Sequence, residues 1–121
     1  MLIKVIINEW RIIMAKFLIK ASYSADAWAS QIENPQNRIE IVGNQMATMG
    51  CTLIQGYLTF GDSDLIVIFE APDNQIAAGM LIKVASSGAL NNISTTVLID
   101  PEDGVTAIKK ASDFNYTPPS K

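Results

Sequence analysis

The fold is decided by residues 51–73, which read CTLIQGYLTFGDSDLIVIFEAPD. The first part of this stretch, up to Phe60, is rich in the β-branched, aromatic and aliphatic residues that favour strands. Residues 61–64 (GDSD) supply the backbone freedom and the side-chain hydrogen bonds that a tight turn needs. Residues 65–69 then follow without a polar residue. The stretch therefore predicts a β-hairpin.

The second strand of this hairpin has no side suited to water. Residues 65–69 are all apolar, whereas an antiparallel strand with one solvated face alternates between apolar and polar residues. Both faces of this strand must therefore be covered, and the rest of the chain has to provide the cover.

Length and composition restrict the class of protein. The 121 residues fit one domain of ordinary size. Hydrophobic residues make up 49% and charged residues 17%, which is typical of a globular protein with few charges. A net charge of −3 argues against a nucleic-acid partner. No apolar run approaches the roughly 18–20 residues of a membrane span, so no membrane partner is expected.

The single cysteine and the absence of histidine exclude most catalytic chemistry. Cys51 is the single cysteine, so no internal disulfide is possible and a cytoplasmic location is predicted. The chain has no histidine, which excludes Cys–His catalysis and histidine-ligated haem and leaves zinc unsupported. Glycine-rich phosphate motifs are also absent. We therefore find no catalytic constellation, expect no cofactor and interpret Cys51 as structural.

The part of the chain before the hairpin predicts a strand and a divided helix. Residues 16–23 place apolar side chains on one face, as a strand does. Ser24 is a good N-cap for a helix that carries Trp28 and Ile32 inward. Pro35 interrupts this helix, and we expect Asn34 to cap a second helical segment. The second segment has an amphipathic stripe, interpreted as core packing, that consists of Ile39, Val42, Met46 and Met49.

The part after the hairpin predicts a helix, a strand and a short final helix. Asp73 is the expected cap of the first helix, and residues 89–100 form the fourth strand. Asp100 is expected to cap the last helix, because Pro101 suits its first position and Ala111 ends its apolar pattern.

The two ends of the chain are predicted to lie outside the domain. Residues 1–13 are interpreted as an N-terminal extension, and an added edge strand is the alternative. Residues 14–111 form the domain. Residues 112–121 are polar and contain adjacent prolines, so they are predicted to be a flexible tail.

The order of these elements, β-α-β-β-α-β with a short C-terminal helix, predicts an α+β, ferredoxin-like fold. Helices cover one face of such a sheet and leave the other face open. A second copy laid sheet to sheet would cover the open face within a standard interface of about 800 Å² per partner. We therefore predict a homodimer, with a closed, barrel-like interface, whose partner is the chain itself.

Several motifs resemble the GYD domain family. The main one is residues 60–70, FGDSDLIVIFE, followed by Pro72 and Asp73. The resemblance covers residues 14–111 and implies a ferredoxin-like relative of the dimeric α/β barrels, found in bacteria and archaea, without an agreed activity. Ser63 stands where the family usually has tyrosine. The further matching residues are Asn34, Pro35, Arg38, Ser87, Gly88, Ala89, Thr95, Thr96, Asp100, Pro101 and Glu102.

Four residues are the candidate ligand-binding residues. If the sheet curves around a pocket, Tyr57 and Lys20 would face it and orient an anion or a carbonyl compound. The alternative places Lys20 at the rim and Tyr57 in the core with its hydroxyl at the surface. Asp62 and Asp64 suit a hard cation, but we interpret them as turn formers because no further acidic ligand lies nearby. No metal site is therefore predicted. The other polar candidates are Tyr23, Thr59 and Glu70.

Two functions remain open on these residues. The first is a homodimeric module that binds an unknown small molecule or regulates another process, without catalysis. The second is a cofactor-independent, monooxygenase-like enzyme of the dimeric α/β-barrel type, which rests on analogy between folds. The missing histidine and the absence of a nucleophile–base pair favour the first.

Overall fold

A computed structural model describes residues 14–120 of the chain. The interpretation of residues 1–13 as an extension lies outside the described residues. The elements in chain order are β1 (Ala15–Tyr23), α1 (Ala25–Glu33), α2 (Arg38–Ala47), β2 (Thr52–Leu58), β3 (Leu65–Ala71), α3 (Asn74–Ser86), β4 (Leu90–Leu98) and α4 (Pro101–Ala111).

The strands form one four-stranded antiparallel sheet in the order β2-β3-β1-β4. This topology confirms the predicted ferredoxin-like fold. Strand β3, the second strand of the hairpin, lies between β2 and β1, so it is flanked on both sides.

The core lies between the sheet and helices α2 and α3. Phe17 and Phe69 stack across β1 and β3 with their ring centroids 5.3 Å apart. Both rings are almost fully buried, as is Ile19. Met46 from α2 and Ala77 from α3 complete the contact from the helix side. The alternation in β1 therefore places its apolar face against the helices, as predicted.

Helix α2 lies close to strand β2, and two glycines permit the approach. A Cβ atom at Gly43 would lie 2.7 Å from Leu53 Cδ2. A Cβ atom at Gly56 would lie 2.5 Å from Ile39 Cγ2. Both distances are well below the van der Waals separation of about 3.5–4.0 Å between carbon atoms. Any larger residue at these positions would therefore have to move a neighbour.

Two of the predicted helix caps are confirmed, and one is wrong. Ser24 Oγ accepts a hydrogen bond from Ala27 N at 3.1 Å, and Asp73 Oδ1 accepts one from Ile76 N at 2.8 Å. Asn34 does not cap α2, because its backbone N–H donates to Ser30 O and ends α1. Asn37 caps α2 instead.

Other local predictions also differ from the structure. Ile32 is 77% exposed and does not point into the core. Helix α2 ends at Ala47, so Met49 falls beyond the buried stripe and is exposed. Asp100 occupies the N-cap position of α4 without making a side-chain capping bond, and its Oδ1 accepts from Lys16 Nζ at 3.1 Å instead. Ile32 and Met49 lie near or beyond the ends of their helices, and Asp100 pairs with Lys16.

The opposite side of the sheet, which we call the open face, carries apolar side chains that remain half-exposed. Its centre is formed by Leu18 of β1 with Ile66 and Ile68 of β3. Lys20 and Tyr57 flank Ile66 in one cross-strand row. Strand β3 therefore has apolar residues on both sides, as predicted from residues 65–69.

Helix α4 has no buried residue. Its apolar side chains Val105 and Ile108 are exposed, Ile108 at 74%. Residues 112–120, which follow α4, are also exposed. In the described part of the chain, no helix has both the length and the apolar character needed to span a bilayer.

Candidate functional site

A cavity of about 340 Å³ lies between the helices and the sheet. All four strands of the sheet contribute apolar side chains, including Ile19, Leu53 and Val67. Helices α2 and α3 contribute further apolar side chains, including Val42 and Met80. The interior of the cavity is therefore an extension of the hydrophobic core that side chains leave unfilled.

A small number of polar residues also line this cavity. They are Tyr23, Arg38, Gln45, Lys83 and Ser87. Ser87 is already engaged, because its hydroxyl donates to Val84 O at 2.6 Å and accepts from Ala89 N at 3.1 Å. The described lining contains no carboxylate. Its two ionic groups, Arg38 and Lys83, are both cationic.

Tyr23 is held at the end of β1 by contacts with α1 and with the hairpin turn. Its backbone N–H donates to Asp64 Oδ2 at 2.9 Å. Its ring meets the Trp28 ring edge to face, with centroids 4.9 Å apart. Trp28 Nε1 donates to the same Oδ2 atom at 3.3 Å. Asp64 therefore fixes the backbone of Tyr23, and Trp28, bound to the same carboxylate, packs against the tyrosine ring.

Asp64 joins the hairpin turn to β1 and α1. Besides its carboxylate bonds to Tyr23 and Trp28, its backbone N–H donates to Ala21 O at 2.9 Å. Its carbonyl accepts from Thr59 N at 2.9 Å, which closes the turn. Asp64 thus has a structural role that agrees with its interpretation as a turn former.

The environment of Tyr23 keeps its hydroxyl protonated. Burial raises the pKa of Tyr23, Arg38 partly opposes this effect, and the Asp64 carboxylate adds to it. The tyrosine is therefore a neutral phenol at neutral pH and can donate a hydrogen bond. Within residues 14–120 the hydroxyl has no hydrogen-bond partner, and Arg38 has no ion-pair partner.

The residues predicted to bind a ligand lie elsewhere. Tyr57 and Lys20 share the open face, on either side of Ile66, and neither lines the cavity. Tyr57 is 57% exposed and borders an open groove of about 800 Å³ between α2 and β2. Asp62 is exposed in the turn. These assignments stay predictions.

Tyr23 is among the wider polar candidates predicted from the sequence, whereas Arg38 is predicted only as a motif residue. The useful signal was strand parity. Tyr23 has the parity of Phe17 and Ile19, which are buried under the helices, whereas Lys20 has the opposite parity. A tyrosine that continues the buried parity of Phe17 and Ile19 is expected to place its hydroxyl at the edge of the core.

The structure offers little support for a thiol or metal centre among residues 14–120. No group of at least three histidine, cysteine, aspartate or glutamate residues lies together in this range. Cys51 is buried, and burial raises its thiol pKa, with a smaller contribution from Asp73. A buried thiol with a raised pKa is a poor nucleophile.

The family model of the GYD domain matches residues 17–108 of the sequence. The chain belongs to the GYD domain family. This matched range contains all the polar residues of the cavity and both strands of the hairpin. The resemblance inferred from the hairpin motif is thereby confirmed.

A solved structure also resembles this GYD domain protein. The crystal structure of MtbAldR superposes with a TM-score of 0.51 and 16% sequence identity. The match covers 71% of this chain and 52% of that chain, so this protein spans about half the length of MtbAldR. At this identity the likeness shows the fold alone. No sequence among the curated proteins matches this chain.

Proposed function

We propose that this GYD domain protein is a homodimeric module that binds a small molecule, as a carrier or regulator, without catalysis. The cavity is the observation that carries this proposal. Its volume of about 340 Å³ falls within the range of roughly 300–1,000 Å³ that is typical of ligand sites. It also combines an apolar interior with a few polar groups, as such sites do.

The lining supports binding more than proton-transfer chemistry. A general base needs a pKa near the working pH. The described lining has no carboxylate, the chain has no histidine, and the pKa of Tyr23 is raised away from neutrality. The monooxygenase-like alternative relied on Tyr57, which lies on the opposite side of the sheet from the cavity.

The open face supports the homodimer part of the proposal. Its half-exposed centre of Leu18, Ile66 and Ile68 is apolar, and its charges are of both signs. Lys16 and Lys20 lie on the same face as Glu70. Because neither sign dominates, two copies can meet without strong repulsion between like charges. A second copy is therefore the occupant that we propose for this face.

The size of the open face suggests that α4 also takes part. With strands about 4.8 Å apart and a rise of about 3.3 Å per residue, four strands of about seven residues span roughly 19 by 23 Å. This flat area of roughly 440 Å² is less than the about 800 Å² that a standard interface buries on each partner. The exposed side chains Val105 and Ile108 of α4 would supply additional apolar surface.

Sedimentation equilibrium tests the dimer. We expect the wild-type protein to sediment at twice the mass of the 13.2 kDa chain. Ile68→Lys should shift it towards the monomer, because it places a charge at the centre of the apolar face. Gln75→Lys, at an exposed position of α3, is the matched control and should leave the dimer intact. A wild-type monomer at high concentration would refute this part of the proposal.

Native mass spectrometry of the purified protein tests ligand binding. We expect a species heavier than the protein alone, which releases a small molecule on denaturation. Val67→Phe extends a side chain into the cavity and should abolish retention. Val97→Phe introduces the same change at an exposed strand position and should retain the ligand. Equal retention by Val67→Phe and wild type would place the ligand outside the cavity and refute the proposed site.

A further inference from the structure

We infer that the cavity selects amphipathic monoanions, such as a small aromatic or aliphatic carboxylate, whose anionic group binds Tyr23 and Arg38 while its apolar body fills the interior. This inference rests on the proposed function, because it assigns a chemical class to the ligand of the same site.

The charge of the lining is the first reason. Arg38 and Lys83 are the only ionic side chains among the described lining residues, and both are positive. Within residues 14–120 neither of them forms an ion pair. A cation beside an apolar interior is stabilised by a counter-charge, and the planar guanidinium group matches a carboxylate with two parallel hydrogen bonds. A ligand anion would supply the negative counter-charge that Arg38 and Lys83 lack among residues 14–120.

The state of Tyr23 is the second reason. The contacts with Asp64 and Trp28 use the backbone N–H and the ring of Tyr23, so the hydroxyl remains available. Arg38 lies close enough for its charge to act on the tyrosine. A protonated phenol and a guanidinium group both donate hydrogen bonds. The group that they bind together must be an acceptor, which favours a carboxylate over an amine.

The size and polarity of the interior restrict the rest of the ligand. A water molecule occupies about 30 Å³ in the liquid, so a volume of about 340 Å³ has room for about ten non-hydrogen atoms. Ile19, Leu53 and Phe69 offer no partner for a second charge inside the cavity, and Lys83, the other cation of the lining, is exposed. Burying a second carboxylate there would be costly. We therefore expect monoanions to bind and dianions of similar size to bind weakly.

Isothermal titration calorimetry with the full chain, freed of any retained ligand, tests the ligand class. The probes are 3-phenylpropanoate, its neutral amide 3-phenylpropanamide, and the dianion phthalate, which is close to them in size. We expect the monoanion to bind at least about tenfold more tightly than either of the others, which corresponds to about 1.4 kcal/mol. Equal affinities for the monoanion and the amide would overturn the inference.

Variants locate the anionic group. Arg38→Gln should weaken binding of 3-phenylpropanoate at least about tenfold and leave the amide unchanged, and Arg38→Lys should lie between Arg38→Gln and wild type. Tyr23→Phe should cause a smaller loss that is also specific for the acid. Lys109→Gln removes a charge from α4 and should change neither affinity. Circular dichroism checks that each variant is folded.

The same probes separate the two proposals. If the amide binds as tightly as the acid and Val67→Phe abolishes both, the cavity binds ligands but the inferred class is wrong. If Arg38→Gln weakens acid and amide equally, Arg38 acts only through the structure and the inference fails. If no probe binds and the purified protein carries no ligand, both the inference and the proposed function fail.

Discussion

Substitution of Gly56 by alanine tests how closely α2 lies against the strand that borders the cavity. The new Cβ atom would lie 2.5 Å from Ile39 Cγ2. Among the described glycines, positive φ values occur only at Gly50 and Gly88, so the backbone at Gly56 accepts alanine. The clash is therefore the main obstacle. Because Ile39 is β-branched and stiff in a helix, it cannot simply rotate away, and α2 must shift.

The expected magnitude follows from two opposing effects. Overpacking of this kind costs about 1–3 kcal/mol in the free energy of unfolding. Removal of a glycine from a strand offsets about 0.5–1 kcal/mol of this cost. We therefore expect Gly56→Ala to destabilise the protein by about 1–2 kcal/mol, which is a large share of a typical total of about 5–15 kcal/mol.

Gly43→Ala is the matched control on the facing helix. Its Cβ atom would lie 2.7 Å from Leu53 Cδ2, the end of a flexible side chain that can adopt another rotamer. Alanine also gains about 0.8–1.0 kcal/mol over glycine in a helix. We expect these effects nearly to cancel, with a net change within about 0.5 kcal/mol.

Urea unfolding followed by circular dichroism, at one fixed protein concentration, measures both changes. Leucine lacks the Cγ2 atom, so the cost of Gly56→Ala should fall by about 1 kcal/mol when it is measured in an Ile39→Leu background. An unchanged or higher midpoint for Gly56→Ala would refute the close approach. Strictly additive costs in the double variant would show that Ile39 is not the obstructing residue.

Three further predictions concern Asp64, Tyr23 and Cys51. Asp64→Ala should lower the free energy of unfolding by about 2–4 kcal/mol in urea unfolding. It removes the acceptor of the part-buried Tyr23 N–H, a bond to a charged group worth about 1.5–3 kcal/mol, and the acceptor of the exposed Trp28 Nε1–H, where the bond contributes less. Asp64→Asn should cost less. Because the folded pKa of Tyr23 is raised, the unfolded chain ionises first, so thermal stability should fall as pH rises above about 10, and Tyr23→Phe should reduce this fall. The buried Cys51 thiol should react with an aromatic disulfide reagent only slowly in the native protein and rapidly after unfolding.

Much of the fold was predictable because the central strand leaves few alternatives. Residues 65–69 have no polar side chain, and such a run after a turn fits a strand whose two faces are both apolar. The parity of β1 and the caps at Ser24 and Asp73 depend on residues close in sequence, so local patterns predict them well.

The remaining differences arise where a local pattern has more than one solution. Asn34 and Asn37 can both cap a helix, and the structure uses the first to end α1 and the second to begin α2. Trp28 and Ile32 lie on the same helix, but only the Trp28 ring meets a sheet residue, Tyr23, in an aromatic contact, and the Ile32 side chain stays exposed. Nothing in the local sequence distinguishes these outcomes.

The cavity could not be predicted from any one stretch. It is the space left between side chains from the sheet and from two helices, and its volume depends on how closely these elements approach. Tyr57 and Tyr23 look equally suitable in the sequence, but strand parity places Tyr57 on the open face and Tyr23 under the helices. The roles of Tyr57, Lys20, Asp62 and Asp64 in ligand binding stay predictions.

The contact between Trp28 and Tyr23 provides an optical reporter next to the cavity. The indole ring touches a tyrosine of the lining, and its N–H is bound to a carboxylate, so its emission depends on the polarity and charge around Tyr23. Trp10 is the second of the two tryptophans, and Trp10→Phe would leave Trp28 as the sole indole fluorophore. Occupancy of the cavity can then be followed by fluorescence without any attached dye.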